Sequence, residues 1–124
     1  MSQDIIADTL NQMMNTKRAK KTSLIVKHHS KMLLSILAIA KLKGYVKEYK
    51  VTEDGLTIEL GKLNGCNAIK PRFVATVDEI DKYIRRYLPA KDIGIIIIST
   101  SQGLMTHQTA IDKNVGGSLI AYLF

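Results

Sequence analysis

The stretch Gly94-Ile95-Ile96-Ile97-Ile98-Ser99-Thr100-Ser101-Gln102-Gly103-Leu104-Met105-Thr106 governs how the remaining residues are read. Four consecutive β-branched residues fit a strand buried on both faces. Helical periodicity is compatible with so short a run, but β-branching at every position favours the strand. At Ser99 the apolar run gives way to a polar cluster, Ser99 to Gln102, and Gly103 permits a turn with positive φ. A rigid strand thus delivers a short, neutral loop to the surface. Ser and Thr hydroxyls both donate and accept hydrogen bonds, so such a loop can address hydroxyls, phosphates or base edges. The plainer reading is a polar turn after a core strand.

Downstream, His107 to Asn114 is polar and ambiguous, and Gly116-Gly117 turns the chain into a closing strand, Ser118 to Phe124. Upstream, Pro89 stops a helix whose apolar positions are Ile80, Tyr83, Ile84 and Tyr87. Thr76-Val77-Asp78-Glu79 has the spacing of a capping box at its start. Ala68 to Thr76 reads as a strand interrupted by Pro71, hence an edge or a bend. Lys62 to Asn67, with its Gly and Asn residues, is the predicted domain junction. Before it, Tyr45 to Val51 and Leu56 to Lys62 read as a hairpin across Thr52-Glu53-Asp54-Gly55. Ser30 caps a broadly apolar helix over 31–43, ended by Gly44 in the left-handed region. Thr22 to His28 alternates like an edge strand. An amphipathic helix over 4–15, capped by Ser2 with Asp4 in its first turn, opens the chain.

The chain has 124 residues, 46% of them hydrophobic, enough for one modest domain or two very small ones. It carries 18 Lys+Arg against 11 Asp+Glu, a formal charge of +7. The excess is confined to the first part: residues 1–50 hold ten basic and three acidic residues, and 51–124 hold eight of each. That balance implies a polyanionic partner. Lys17-Arg18-Ala19-Lys20-Lys21 cannot pack inside; it suits phosphate contact, and the plainer reading is a solvated connector. The lone Cys66 forms no internal disulfide and fits a reducing compartment as a small apolar filler. No apolar run approaches a membrane span of about 18 residues, and Met1 to Met14 lacks the basic-then-apolar order of a signal segment.

Catalytic motifs are lacking. His28 and His29 are adjacent, so on a strand they point to opposite faces and cannot share a metal. Ser101, His107 and Asp112 would make a small hydrolase or transferase only if the fold assembled them. No phosphate-cradling Gly-Lys-Ser/Thr loop or dinucleotide fingerprint occurs. The sequence therefore reads as a non-enzyme without metal or cofactor. Tyr122 fits either base stacking or the core.

Ser-Thr-Ser-Gln-Gly-Leu-Met-Thr-His over 99–107, preceded by Gly-Ile-Ile-Ile-Ile and followed by Ala110, resembles the signature of the universal small-subunit ribosomal protein family conventionally numbered eight. Further pieces resemble the family along nearly the whole chain: Asp4 to Asp8 with Leu10 and Asn15, Gly44-Tyr45-Val46 with Tyr49, Lys70-Pro71-Arg72, and Gly116-Gly117 with Leu119 to Phe124. Gln102, His107 and Lys-Pro-Arg are similar to the archaeal and eukaryotic branch. Bacterial members usually carry lysine at the position of Gln102 and arginines at those of Gln12 and Met14.

The resemblance implies an α+β fold of two small packed domains, an N-terminal αβαββ domain over 1–63 and a mainly β domain with a short helix over 64–124. It implies a cytoplasmic, ribosomal protein, monomeric in isolation and off the membrane. Its function would be to bind a helix in the central domain of small-subunit ribosomal RNA and support assembly, with neighbouring small-subunit proteins and its own messenger RNA as further partners. A regulator acting chiefly on messenger RNA is the alternative. Carried over by motif, the implied contacts are Ser99, Thr100, Ser101, Gln102 and Gly103, with Gly116 and Gly117 beside them. Lys70, Arg72, Thr106 and Lys31 follow, and the basic run adds Lys17, Arg18, Lys20 and Lys21.

Overall fold

The computed structural model describes residues 5–69, 73–90 and 93–124. Ser2 and Asp4, expected to open the first helix, and Lys70-Pro71-Arg72 lie outside the described residues. The chain divides into two compact units, residues 1–66 and 67–124.

The first unit is α1 (Ile5–Arg18), β1 (Ser23–Val26), α2 (Lys31–Leu42), β2 (Val46–Thr52) and β3 (Gly55–Leu60). Its strands form an antiparallel sheet in the order β1-β3-β2. α1 buries Ile6, Leu10 and Met13, which recur at helical spacing. It runs three residues past the expected end, so Lys17 and Arg18 form its last turn rather than a connector. There the cations complement the negative end of the helix dipole. Ser30 caps α2, its hydroxyl accepting from the Leu33 N–H at 3.2 Å, and Gly44 follows at φ 88°. Leu33, Ile36, Leu37 and Ala40 face the core, but Leu42, counted among the apolar positions of a helix expected to be mostly buried, is 82% exposed.

The β2–β3 turn is tighter than expected. Thr52 already pairs with Gly55, leaving only Glu53 and Asp54 outside the strands. Gly55 is required where β3 crosses the end of β1: its φ is 131°, and a Cβ would stand 2.4 Å from the Val26 carbonyl oxygen.

The second unit holds β4 (Cys66–Ala68, whose first residue still belongs to the first unit), β5 (Val74–Ala75), α3 (Ile80–Tyr87), β6 (Ile95–Thr100), β7 (Gly103–Thr106), α4 (His107–Lys113) and β8 (Gly117–Leu123). The sheet runs β4-β8-β6-β7, with β5 also paired to β8. The isoleucine run is a central strand, as the sequence predicts. Ile96 and Ile98 join Ile69, Ile80, Ile84 and Leu119 in the core cluster, and Ile95 and Ile97 are buried too. Thr76 N–H and hydroxyl both donate to Glu79 Oε1 at 3.0 Å, bracing the 3-10 turn that leads into α3 and holding the Glu79 carboxyl below its usual range. Tyr122 lies in a row of near-parallel rings, 5.2 Å from Tyr87 and 6.1 Å from Phe124. Most of the polar stretch, His107 to Lys113, is a helix; a single short helix was expected in this half, and among the described residues there are two α-helices. Thr106 caps α4, whose buried Ala110 and His107 anchor it.

Cys66 is buried and its thiol donates to the Leu10 carbonyl at 3.6 Å. Burial pushes the thiol up to about 12 from an ordinary 9.0. A folded-state value above the unfolded one gives a stabilising contribution that is complete below about pH 9 and is lost as pH rises towards 12. The native chain should therefore resist thiol alkylation at mildly alkaline pH and label quickly in denaturant. Its stability relative to Cys66→Ala should fall across that alkaline window; rapid native labelling would contradict the assignment.

Candidate nucleic-acid interface

β6 and β7 form a hairpin in which Ile98 pairs with Met105, Ser99 with Leu104 and Thr100 with Gly103. The expected five-residue loop is therefore a two-residue turn, Ser101-Gln102, with Ser99 and Thr100 inside the strand. Gly103 has φ 108° with open space where a Cβ would go, so its glycine serves the backbone conformation. Thr100 ties the turn: its hydroxyl donates to the Gly103 carbonyl at 2.9 Å and accepts from the Gln102 N–H at 3.0 Å. Thr100 is thereby engaged in the scaffold, while Ser101 and Gln102 are exposed.

The opposite edge of β6 pairs with β8. A register shift between Ile97 and Ile98 skips Ile120, so Ile97 meets Ala121, Ile98 meets Leu119 and Ser99 meets Ser118. Ser118 in turn faces Val74. Cross-strand partners share a sheet face, so Val74, Ser118, Ser99 and Leu104 form one row, and none of the four is buried. The next row, Leu119, Ile98 and Met105, is buried. Ser118 was missed in the sequence because only the strand pairing brings it beside Ser99.

The glycine pair is what permits this approach. A Cβ on Gly117 would stand 2.1 Å from the Ser99 carbonyl oxygen, and one on Gly116 would stand 2.4 Å from that of Ala75. Gly116 and Gly117 thus set how closely β8 lies against β6 and β5.

Thr106 is buried; its hydroxyl accepts from the Thr109 N–H at 3.4 Å and lies 3.2 Å from the Thr109 hydroxyl. His107 is 2% exposed, and the Ile96 N–H donates to its Nδ1 at 3.1 Å. That bond requires the neutral Nδ1 acceptor and fixes the proton of the neutral ring on Nε2. His107 follows the end of the hairpin away from the turn, four residues beyond Gly103, or about 13 Å at ~3.3 Å per residue. The fold therefore does not assemble the Ser101–His107–Asp112 set. Among the described residues no group of three His, Cys, Asp or Glu could hold a metal ion.

In the first unit, Arg18, Lys20 and Lys21 are exposed and Lys17 is half-buried. Lys20 takes a left-handed φ of 62° where the chain leaves α1. Lys31 is exposed at the start of α2. Two other cations of this unit are engaged: Lys41 with Glu48 at 2.9 Å and Lys47 with Glu59 at 3.5 Å. The Lys41 bond and the Tyr49 N–H hold the Glu48 carboxyl below its usual range. No helix among the described residues is long and apolar enough to cross a membrane.

Comparison with known proteins agrees with the signature at the turn. A family model described as ribosomal protein S8 matches residues 4–124. The small ribosomal subunit protein uS8 of Nanoarchaeum equitans (strain Kin4-M) is 38% identical over 129 residues, covering 100% of both chains.

Gly117→Ala should disturb both fold and site. The new methyl must force β8 from β6, an overpacking cost of about 1–3 kcal/mol. Denaturant unfolding should show that loss, and amide exchange should rise at Ser99 and Ser118. Unchanged stability and exchange would mean that the sheet tolerates a Cβ there.

Proposed function

The chain belongs to the ribosomal protein S8 family, and from that premise we propose that it binds small-subunit ribosomal RNA directly and supports assembly of the subunit. Members of this family are structural ribosomal proteins, so a catalytic role has no support. The observation that carries the RNA reading is the neutral hydroxyl and amide surface made by Ser101 and Gln102 in the turn and by Ser99 and Ser118 side by side on the sheet. A-form RNA presents a wide, shallow minor groove lined with 2′-hydroxyls and base edges. Short side chains on a rigid sheet can reach those groups, whereas long basic residues bind phosphate.

The two halves divide the work. The basic N-terminal domain, residues 1–63, supplies phosphate contacts through Lys17, Arg18, Lys20, Lys21 and Lys31. The C-terminal domain, residues 64–124, reads the RNA, with Lys70 and Arg72 as flanking contacts. Thr100, Thr106, Gly116 and Gly117 act mainly by holding the reading residues in place. Their engaged hydroxyls and close backbone approaches support that role.

Two measurements test the proposal. Ser101→Ala leaves an RNA group unpaired, at a cost of about 1–3 kcal/mol, or roughly five- to 150-fold in affinity for the rRNA helix. The salt slope and melting temperature should hardly move, because Ser101 is neutral and exposed. Wild-type affinity for both Ser99→Ala and Ser101→Ala would return the turn to a plain connection. Separately, removing a contacting cation among Lys17, Arg18, Lys20 and Lys21 should flatten the log K against log salt slope by about 0.9 or less. Four unchanged slopes would make that segment a solvated helix end.

A further inference from the structure

We propose that Arg86 is an additional RNA-phosphate contact, held ready by the aromatic rings beneath it. The proposal rests on the rRNA reading above and adds a residue that neither the turn nor the basic first half includes.

Arg85 and Arg86 are neighbours on α3, both exposed, and their surroundings differ. Arg85 is ion-paired with Asp81 at 2.7 Å, so its donors are directed within the helix. Arg86 has no carboxylate partner among the described residues. Its guanidinium carbon lies 5.4 Å from the Phe73 ring centre and 5.3 Å from that of Tyr87, inside cation–π range for both. Those rings belong to a continuous row: Phe73 stacks on Tyr83 at 5.6 Å, and Tyr83 on Tyr87 at 6.4 Å. Lys82 lies over the Tyr83 ring at 5.7 Å, adding a second cation to this face.

Packing on a ring face orders a guanidinium without consuming its in-plane N–H donors. The side chain is then preorganised, and its planar fork matches two oxygens of one phosphate. An unpaired, ordered arginine in a half with equal numbers of acids and bases is a local positive point, complementary to a polyanion.

The test uses the full chain and a transcript of the complete small-subunit rRNA from the same source, titrated at several salt concentrations. Arg86→Gln should weaken binding about five- to tenfold, the loss of roughly one charge-assisted contact, and flatten the salt slope by about 0.7–0.9. Arg86→Lys should keep the slope but not the full affinity, because a point charge replaces a fork. Arg85→Gln should leave both near wild type. Wild-type affinity and slope for Arg86→Gln, or equal losses for Arg85→Gln, would overturn the assignment. So would unchanged RNA binding with weakened incorporation into subunits, which would mark an acidic protein partner instead. Ser101→Ala in the same titration separates the two ideas. If it weakens binding and Arg86→Gln does not, only the Arg86 contact falls. If the wild-type chain prefers this rRNA no more than an unrelated transcript, both fall.

Discussion

The approach of Gly117 to the carbonyl of Ser99 is the constraint on which the second unit depends. β6 is paired along both edges, to β7 by a hairpin and to β8 by a non-local ladder. The ladder can close only where β8 presents no side chain to the Ser99 carbonyl. Once it closes, Ile98 is buried against Leu119 and Met105, and Ser99 stands beside Ser118 on the other face. Core and candidate interface are alternate rows of the same sheet, because successive strand residues point to opposite sides. A disturbance of one row is therefore felt in the other.

The first unit manages a different tension, since most of the positive charge is concentrated on it. No cation enters its core: the buried positions of α1, α2 and the sheet are apolar apart from Thr9. Two lysines, Lys41 and Lys47, are offset locally by Glu48 and Glu59. Exposed pairs of this kind contribute little to stability. Their effect is on the field, which they leave unneutralised at the end of α1 and the start of α2. A polyanion would meet positive potential at those places, at a strength that falls with salt.

Reactive groups are taken out of use by burial and hydrogen bonding. Cys66 donates to a backbone carbonyl in an apolar site, and His107 accepts a backbone N–H beneath the sheet. Both residues serve as packing elements held in place by polar contacts. That leaves recognition by shape and hydrogen bonding as the chemistry available to the turn. A neutral surface of this kind gains specificity from geometry rather than from charge, and so needs the rigid sheet behind it.

Much of this architecture was legible locally. The isoleucine run read as a buried strand because β-branched residues at consecutive positions suit no half-exposed helix. Ser30 and the Thr76–Glu79 pair marked helix starts because capping is a contact within one turn. The order αβαββ in the first half followed from hydrophobic periods and the Gly44 and Gly55 breaks. Other features arise between segments distant in the chain. Helix α4 was hidden because its sequence is polar; it forms where Thr106 caps it and the sheet buries Ala110. Ser118 joined the site only through strand pairing, and Arg86 gained its aromatic support only when Phe73 and α3 were folded together. The exposure of Leu42 likewise depends on where α2 meets its sheet, which no periodicity specifies. Backbone preferences and caps act over a few residues and are written in the sequence. Which side chains meet across strands is decided by the register and close packing of the tertiary structure.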